Sequence, residues 1–534
     1  MDGKQYVCNK LEIMQAPDFL KSRKNSVVVL LILVLAWYLR TNHQWLLPFF
    51  YNADEYFVVM PSLHILQTGN LNPQVFKYGS FVYYLTALLY WMYFHTVSAL
   101  SGTPYPDLLR QLTSTSPVLY TIARYESSFF DLLNIVMTYR ISRSLFHREP
   151  AALAAALIVA LNPLHLYMSH MAKVDTALTF FVLLAFSFAL RIADQGRRRD
   201  MVLAGICAGL AMATKYDVLA LLPPLAAVFV YRSKHPGTHR PGVAVLIVAI
   251  AAVVFFLASP YTVLDLRGFL ADFSAESAQQ GLSLSTLGWL HTRFVYQVLI
   301  QLPFCLSISV FLFFIAGVAG YRRFMDNRTF VLFLSYPAVY FIAATASSAS
   351  ISQVIFSHLY LTMMPFMIML AAAAALSVLS GIPTRFLKYG AAALLLFDIV
   401  IASANFQNML STYREAGAWL ASIRPSGVVR LSSVTPFTLY LGENYETQMI
   451  EPSPLLLEQV RTFNPRLILV SEGWYTTYFY RRERYYNRHI DRLLSDRGYQ
   501  TIKTFRPSSP YIDLFGHFDK ALNIGTIRIF EKDT

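Results

Sequence analysis

Long apolar runs recur along the whole of this chain, at Val27 to Leu39, Ala151 to Leu161, Val243 to Leu257, Ile308 to Ala319 and Leu361 to Leu379. Such runs, returning between short basic clusters, restrict a chain to a bundle of helices in a bilayer. There each backbone amide must find its partner inside the protein, and a helix supplies that partner locally. The composition agrees. Of 534 residues 55% are hydrophobic and only 14% are charged, with a mean hydropathy of +0.44. That is too little charge to coat a soluble protein of this size. The expected fold class is a polytopic α-helical membrane protein.

The net charge of +13, from 44 basic and 31 acidic residues, raises the question of nucleic acid. The basic residues fall in short groups between apolar runs, which is the pattern of topology signals, so no nucleic-acid partner is expected. Three cysteines, Cys8, Cys207 and Cys305, make no disulfide framework. The first apolar run starts late and lacks a small-residue cleavage site, so no cleavable signal peptide is expected.

Lys4, Lys10, Lys21, Arg23 and Lys24 place the N-terminal stretch on the cytoplasmic side. The first helix, roughly 26–40, is short for a span, and a snorkelling Arg40 with Trp45, Leu46 and Leu47 would complete it. The next segment, 79–100, is apolar but rich in Tyr and Trp. If it spanned, the cluster Arg140, Arg143 and Arg148 would lie outside. If it lies in the outer interface, that cluster and those around Arg197, Arg232, Arg322 and Arg385 all fall inside. The second arrangement satisfies five clusters with one assumption. It gives about eleven transmembrane helices, roughly 26–40, 118–139, 150–168, 176–190, 201–214, 218–231, 242–261, 296–320, 329–346, 357–380 and 389–404.

Past residue 404 hydropathy falls and charge rises. Segments beginning at Arg430, Arg466 and Thr526 read as strands bounded by Pro and Gly, whereas Tyr413 to Ile423 and Arg484 to Leu494 read as helices. Residues 1–404 are thus expected to form the transmembrane domain and 405–534 a small C-terminal α/β extracytoplasmic domain. Its Trp474, Tyr475, Tyr478, Tyr480, Tyr485 and Tyr486, beside many arginines, suit either a glycan contact or an ordinary aromatic core.

Within this topology the adjacent acids Asp54 and Glu55 lie just beyond the first helix, on the outer side. Ionised groups beside hydrocarbon are costly and commonly serve a substrate, an ion or a proton. Lys77, Arg124, His170, Lys173, Asp175, Lys215, Asp217 and His358 fall at helix ends on the same side. Singly, each has a plain structural reading. Arg124 and Glu126 can form an ion pair, Asp175 can cap the helix starting at Thr176, and His165 and His170 can be interfacial. Together they suggest a cavity for an anionic substrate.

The order of these pieces resembles the GT-C glycosyltransferases, in particular the bacterial branch of the dolichyl-phosphate-mannose protein mannosyltransferase family, which includes aminoarabinose transferases. The likeness rests on Asp54-Glu55-Tyr56, Gln67 to Pro73, and Lys77-Tyr78-Gly79 where the family usually has Lys-Pro-Pro. It continues through Ala123-Arg124, Arg143 to Arg148, Ala172-Lys173-Val174-Asp175, Gly209 to Lys215 and Ser259-Pro260-Tyr261. It covers about residues 26 to 270 well and the rest loosely. The family's later Arg-Tyr-…-Pro element is matched by His358-Leu359-Tyr360-…-Pro365.

The resemblance implies transfer of a sugar from a polyprenyl-phosphate donor to an extracytoplasmic acceptor (glycan, lipid or protein), with inversion, in a bacterial inner membrane. A carboxylate within reach of the nucleophile serves as general base, and cations support the leaving phosphate. Asp54 is the favoured base, with Glu55 orienting the acceptor or standing second in line for the same role. Asp175 positions Lys173, the sugar or the acceptor. Lys77, Arg124, Lys173, Lys215 and His358 are the candidate phosphate contacts. No metal cofactor is expected, although carboxylates at 54 and 175 would suit a divalent ion. The competing class is a secondary transporter or flippase of a lipid-linked or anionic substrate, which would carry broken helices in two repeated halves. The sequence shows no such halves.

The topology makes a direct prediction. An alkaline phosphatase fusion after Arg148 should be inactive, because that enzyme matures only outside the cytoplasm. An active fusion there would mean that segment 79–100 spans.

Overall fold

The computed structural model describes residues 23–42, 53–113, 116–235, 242–280, 294–295, 297–347, 355–423, 429–433, 445–449, 456–471, 494–506 and 526–532. The expected helix Arg484 to Leu494 lies almost wholly outside these residues, as does the aromatic group from Trp474 to Tyr486. Helices α1 (Arg23–Thr41), α2 (Ala53–Thr68), α3 (Ser80–Ser101), α4 (Tyr105–Arg110) and α5 (Pro117–Phe146) come first. They are followed by α6 (Glu149–Leu161), α7 (Pro163–Ser169), α8 (Asp175–Gln195) and α9 (Arg198–Lys215). Then come α10 (Leu222–Lys234), α11 (Val243–Ala258), α12 (Tyr261–Leu264) and α13 (Leu266–Gln280).

By length and composition, four helices among the described residues can cross a membrane: Asp175–Gln195, Asn327–Thr345, His358–Gly381 and Arg385–Ala404. Two bent pairs raise the number to six, Glu149–Leu161 with Pro163–Ser169 (53°) and Gln297–Leu306 with Ile308–Ala319 (116°). Several other expected spans are helical but shorter, as in Val243–Ala258, or more charged. The 30-residue α5 holds Arg124, Asp131 and Arg140, and it turns Arg124 and Asp131 into the bundle. In α1 apolar side chains cover the outward face as well as the buried one. Val29, Ile32, Ala36 and Arg40 form the buried stripe at spacings of three and four, while Leu30, Leu31, Val34 and Trp37 face outward.

Arg40 departs from its expected role. It does not snorkel; it is fully buried, and its Nε lies 2.7 Å from Asp131 Oδ2. The helix break at Asn162–Pro163 explains why. A break strips the preceding turn of its amide donors, and hydrocarbon offers no replacement. Arg40 supplies two, donating to Ala160 O at 3.0 Å and Val159 O at 3.3 Å. Ser403 Oγ donates to Leu161 O. Asn162 caps α7 by accepting from His165 N and donates to Cys305 O at 2.9 Å, beside the second break. His165 in turn meets Asp131 Oδ1 through Nδ1 at 2.5 Å, so it is a core residue and not an interfacial one.

The C-terminal residues form a five-stranded sheet of order β2-β1-β3-β5-β4, from β1 (Val429–Ser433), β2 (Tyr445–Met449), β3 (Leu467–Ser471), β4 (Tyr499–Phe505) and β5 (Ile527–Lys532). β1 runs parallel to β2 and β3, and β5 antiparallel to β3 and β4. The three strands read from the sequence are the inner ones; β2 and β4 are edges whose polar side chains hide the alternation. Central β3 has Ile468, Leu469 and Val470 buried on both faces, as its unbroken apolar run requires. The helix Arg385–Ile423 passes position 404 without a break, and Trp419 packs against Phe505.

Arg40→Met would leave the Asp131 carboxylate buried without its counter-charge, a loss of about 3–5 kcal/mol. The double variant Arg40→Met/Asp131→Leu should recover only part of that loss, since the guanidinium's bonds to the carbonyls of Ala160 and Val159 stay lost. Full recovery in thermal unfolding would show that these carbonyl bonds contribute nothing.

Candidate active site

The adjacent acids of α2 point different ways. Consecutive helical residues are rotated by about 100°, so the two carboxylates cannot share one ligand. Glu55 is fully buried and meets Arg124 in a two-pronged pair, Nε to Oε1 at 2.7 Å and Nη2 to Oε2 at 2.9 Å. The amide of Ala172 also donates to Oε1 at 2.9 Å. Arg124, expected among the phosphate contacts, is 1% exposed and committed to this pair. Its anticipated pairing with Glu126 does not form; Glu126 accepts from Thr86 Oγ1 at 2.6 Å instead.

Asp54, about a quarter exposed, accepts from Lys77 Nζ at 3.1 Å and from Lys173 Nζ at 2.7 Å. Lys173 Nζ is also 3.9 Å from Asp175 Oδ2, and Lys215 Nζ lies 2.5 Å from Asp175 Oδ1. Three lysines thus interleave with two carboxylates drawn from α2, the loop before α3, the turn before α8, the first residue of α8 and the end of α9. His358 lies near enough to act electrostatically on Asp54. Asp175 does not cap α8: Val174 holds the cap position and makes no side-chain bond there. Lys173 and Asp175 are nearly enclosed, whereas Asp54, Lys77 and Lys215 reach the surface and form the mouth.

Each member is held by local structure. Lys173 sits in a turn whose amide donates to Ser127 Oγ at 3.3 Å, and Ser127 Oγ donates back to Lys173 O at 3.1 Å. The Lys77 ammonium also lies 4.2 Å over the Phe57 ring. At the helix N-terminus both acids of α2 gain from the positive end of the dipole. Burial alone would raise the Asp54 carboxyl, but the charges of Lys173 and Lys77 outweigh it and hold the group well below the ordinary carboxylate range. Close by, burial pushes Asp217 up to about 6, despite bonds from Tyr336 Oη at 2.7 Å and Leu219 N at 3.0 Å.

Of the eight candidates, Asp54, Lys77, Lys173, Asp175 and Lys215 come together, His358 stands beside them, and Glu55 and Arg124 lie behind as a buried pair. The sequence singled out neither Tyr336, which donates to Asp217, nor Tyr216, which donates to the carbonyl of Tyr78 beside Lys77. Tyr336 gives no signal beyond an aromatic residue in an apolar helix, whereas Tyr216 directly follows the Thr-Lys element.

Residues 122–261 match a family described as dolichyl-phosphate-mannose-protein mannosyltransferase. No curated protein matches the chain. Among solved structures, ArnT from Cupriavidus metallidurans bound to undecaprenyl phosphate is 13% identical, with a TM-score of 0.46, over 95% of this chain and 97% of that one. The Archaeoglobus fulgidus oligosaccharyltransferase AglB, in complex with an inhibitory peptide and a dolichol-phosphate, is also 13% identical, with a TM-score of 0.45, over 84% and 70%. The S. cerevisiae Pmt1-Pmt2 complex bound to the sugar donor is 17% identical, with a TM-score of 0.32, over 48% and 34%. At such scores positions are not equated between structures. The matched stretch carries Arg124, Lys173, Asp175 and Lys215, so it is over these residues that the chain is similar to that family.

Proposed function

We propose that the chain is an inverting membrane glycosyltransferase. It would move a sugar from a polyprenyl-phosphate donor to an acceptor on the outer face of a bacterial inner membrane. One observation carries the reading: Lys77, Lys173 and Lys215 converge on Asp54 and Asp175, and the mouth of the cluster is open at Asp54. Ammonium groups suit a phosphate that gains charge as the sugar leaves. On this reading the donor phosphate draws Lys77 and Lys173 from Asp54, which then accepts the proton of the attacking group. Before the donor binds, Asp54 is a quenched base. Asp175 keeps Lys215 and Lys173 in place.

Lys173 Nζ stands where a divalent ion bridging the two acids would have to sit. We therefore assign charge neutralisation to the lysines, and chelation by EDTA should leave transfer unchanged. Residues 405–534 are proposed as an outer α/β domain carried on the extension of the last helix.

For the transporter reading, helix breaks are the relevant feature, since unwound carbonyls can bind ions. Here Asn162, Ser403 and Arg40 already donate to carbonyls at these breaks. That favours a static role for the breaks.

Asp54→Asn should lower transfer about 10²–10⁴-fold with normal expression, the usual scale for losing a general base. Unchanged transfer would sink the assignment. The depressed Asp54 group stabilises the fold above its unfolded value near about pH 4, and that contribution is lost only as pH falls through the still lower folded value. Between about pH 5 and 7, kcat/KM should therefore show no acidic limb that Asp54→Asn removes. A limb in that range that vanishes in the variant would overturn the pairing.

A further inference from the structure

Two of the mouth lysines, Lys77 and Lys215, lie 138 positions apart, yet the segments bearing them are joined directly. Helix α9 ends at Lys215 with carbonyls that lack intrahelical donors. Gly79 N donates to one of them, Thr214 O, at 3.2 Å. Tyr216 Oη donates to Tyr78 O at 3.0 Å, so the two segments are tied on both sides of Lys215 and at the two residues that follow Lys77. Ser80 N donates to Ser259 Oγ at 3.0 Å, just beyond the junction.

Steric need fixes Gly79, and the reach of the side-chain hydroxyl fixes Tyr216. A Cβ on Gly79 would stand 1.9 Å from Ala213 O, so no other residue fits without moving the backbone. Proline would also lack the amide that Thr214 O receives. Tyr216 has φ 54°, a left-handed conformation that a residue with a Cβ rarely adopts. It closes α9 there, donating its amide to Met212 O at 2.7 Å. A glycine would relieve that strain but could not reach Tyr78. The Tyr216 ring is steadied by Phe255 at 6.2 Å and Phe269 at 5.5 Å.

We propose that Gly79 and Tyr216 are positioning residues. They clamp the Lys77 segment onto the end of α9 so that Lys77 and Lys215 meet one lipid-borne phosphate as a preset pair. The clamp acts through the lysines and rests on the reading of this cluster as a phosphate site. It gives Tyr78-Gly79 a role where the resembled family has Pro-Pro: a hydrogen-bonded junction replaces a rigid one.

The test is the affinity of the full-length protein, in nanodiscs, for undecaprenyl phosphate as probe. Tyr216→Phe should weaken binding about five- to tenfold, the scale of one hydrogen bond. In a Lys77→Ala background the same change should add nothing, because the group it orients is gone. Tyr216→Phe with unchanged affinity would overturn the clamp, and so would an equal loss in both backgrounds, which marks a general structural role. If Lys77→Ala alone binds as tightly as the unaltered protein, the phosphate-site reading falls and the clamp falls with it. Gly79→Ala should reproduce the loss, and Tyr216→Phe decides the matter where that variant does not fold.

Discussion

The Glu55–Arg124 pair is the constraint on which the site depends. Both side chains are essentially inaccessible, and both carboxylate oxygens are engaged by the guanidinium, with Ala172 N completing the set. A lone buried charge would be costly, so neither partner can leave without the other. The pair therefore ties three parts of the chain at one point: the start of α2, the first turns of α5 and the turn before α8. Once Glu55 is fixed inward, helical geometry directs Asp54 elsewhere, toward Lys77 and Lys173. The turn bearing Ala172 also bears Lys173, so one buried interaction orders both members of the exposed pair.

A second network secures the bundle beneath it. The break between α6 and α7 leaves carbonyls short of helical donors, and Arg40 and Ser403 reach them from two other places in the fold, while Asn162 at the break itself donates to Cys305 O beside the second break. Asp131 holds Arg40 and is itself braced by His165 and Asn134. Polar groups inside hydrocarbon thus answer one another, and the sequence meets the demand with scattered single residues. These ion pairs shape the bundle; the mouth of the cluster is where charge stays accessible to a ligand.

What could be read from the sequence follows from how local its signals are. Apolar runs announced helices, and basic clusters suggested their orientation. The inner strands β1, β3 and β5 were legible from their apolar runs, while edge strands β2 and β4 were not. At the site, Asp54, Lys173, Asp175 and Lys215 were legible as acids and bases gathered at helix ends. The division of labour between Asp54 and Glu55 was not, because it turns on a partner 69 positions away. Arg40 looked like an interfacial anchor because its acid, Asp131, lies 91 positions on, in another helix. Pairings across the bundle leave no periodicity to detect.

The charge of the lysine cluster has a consequence for turnover. Among the described residues, three ammonium groups meet two carboxylates there, one positive charge beyond neutrality. A polyprenyl-phosphate sugar is a diester with a single negative charge, whereas the spent carrier is a monoester carrying about −1.5 to −2 near neutral pH. On the proposed reaction, the same lysines that ease departure of the sugar hold the remaining lipid more tightly than the incoming one. The pace of such an enzyme would then be set by letting go of the empty carrier, and accumulated carrier in the membrane would act as its brake.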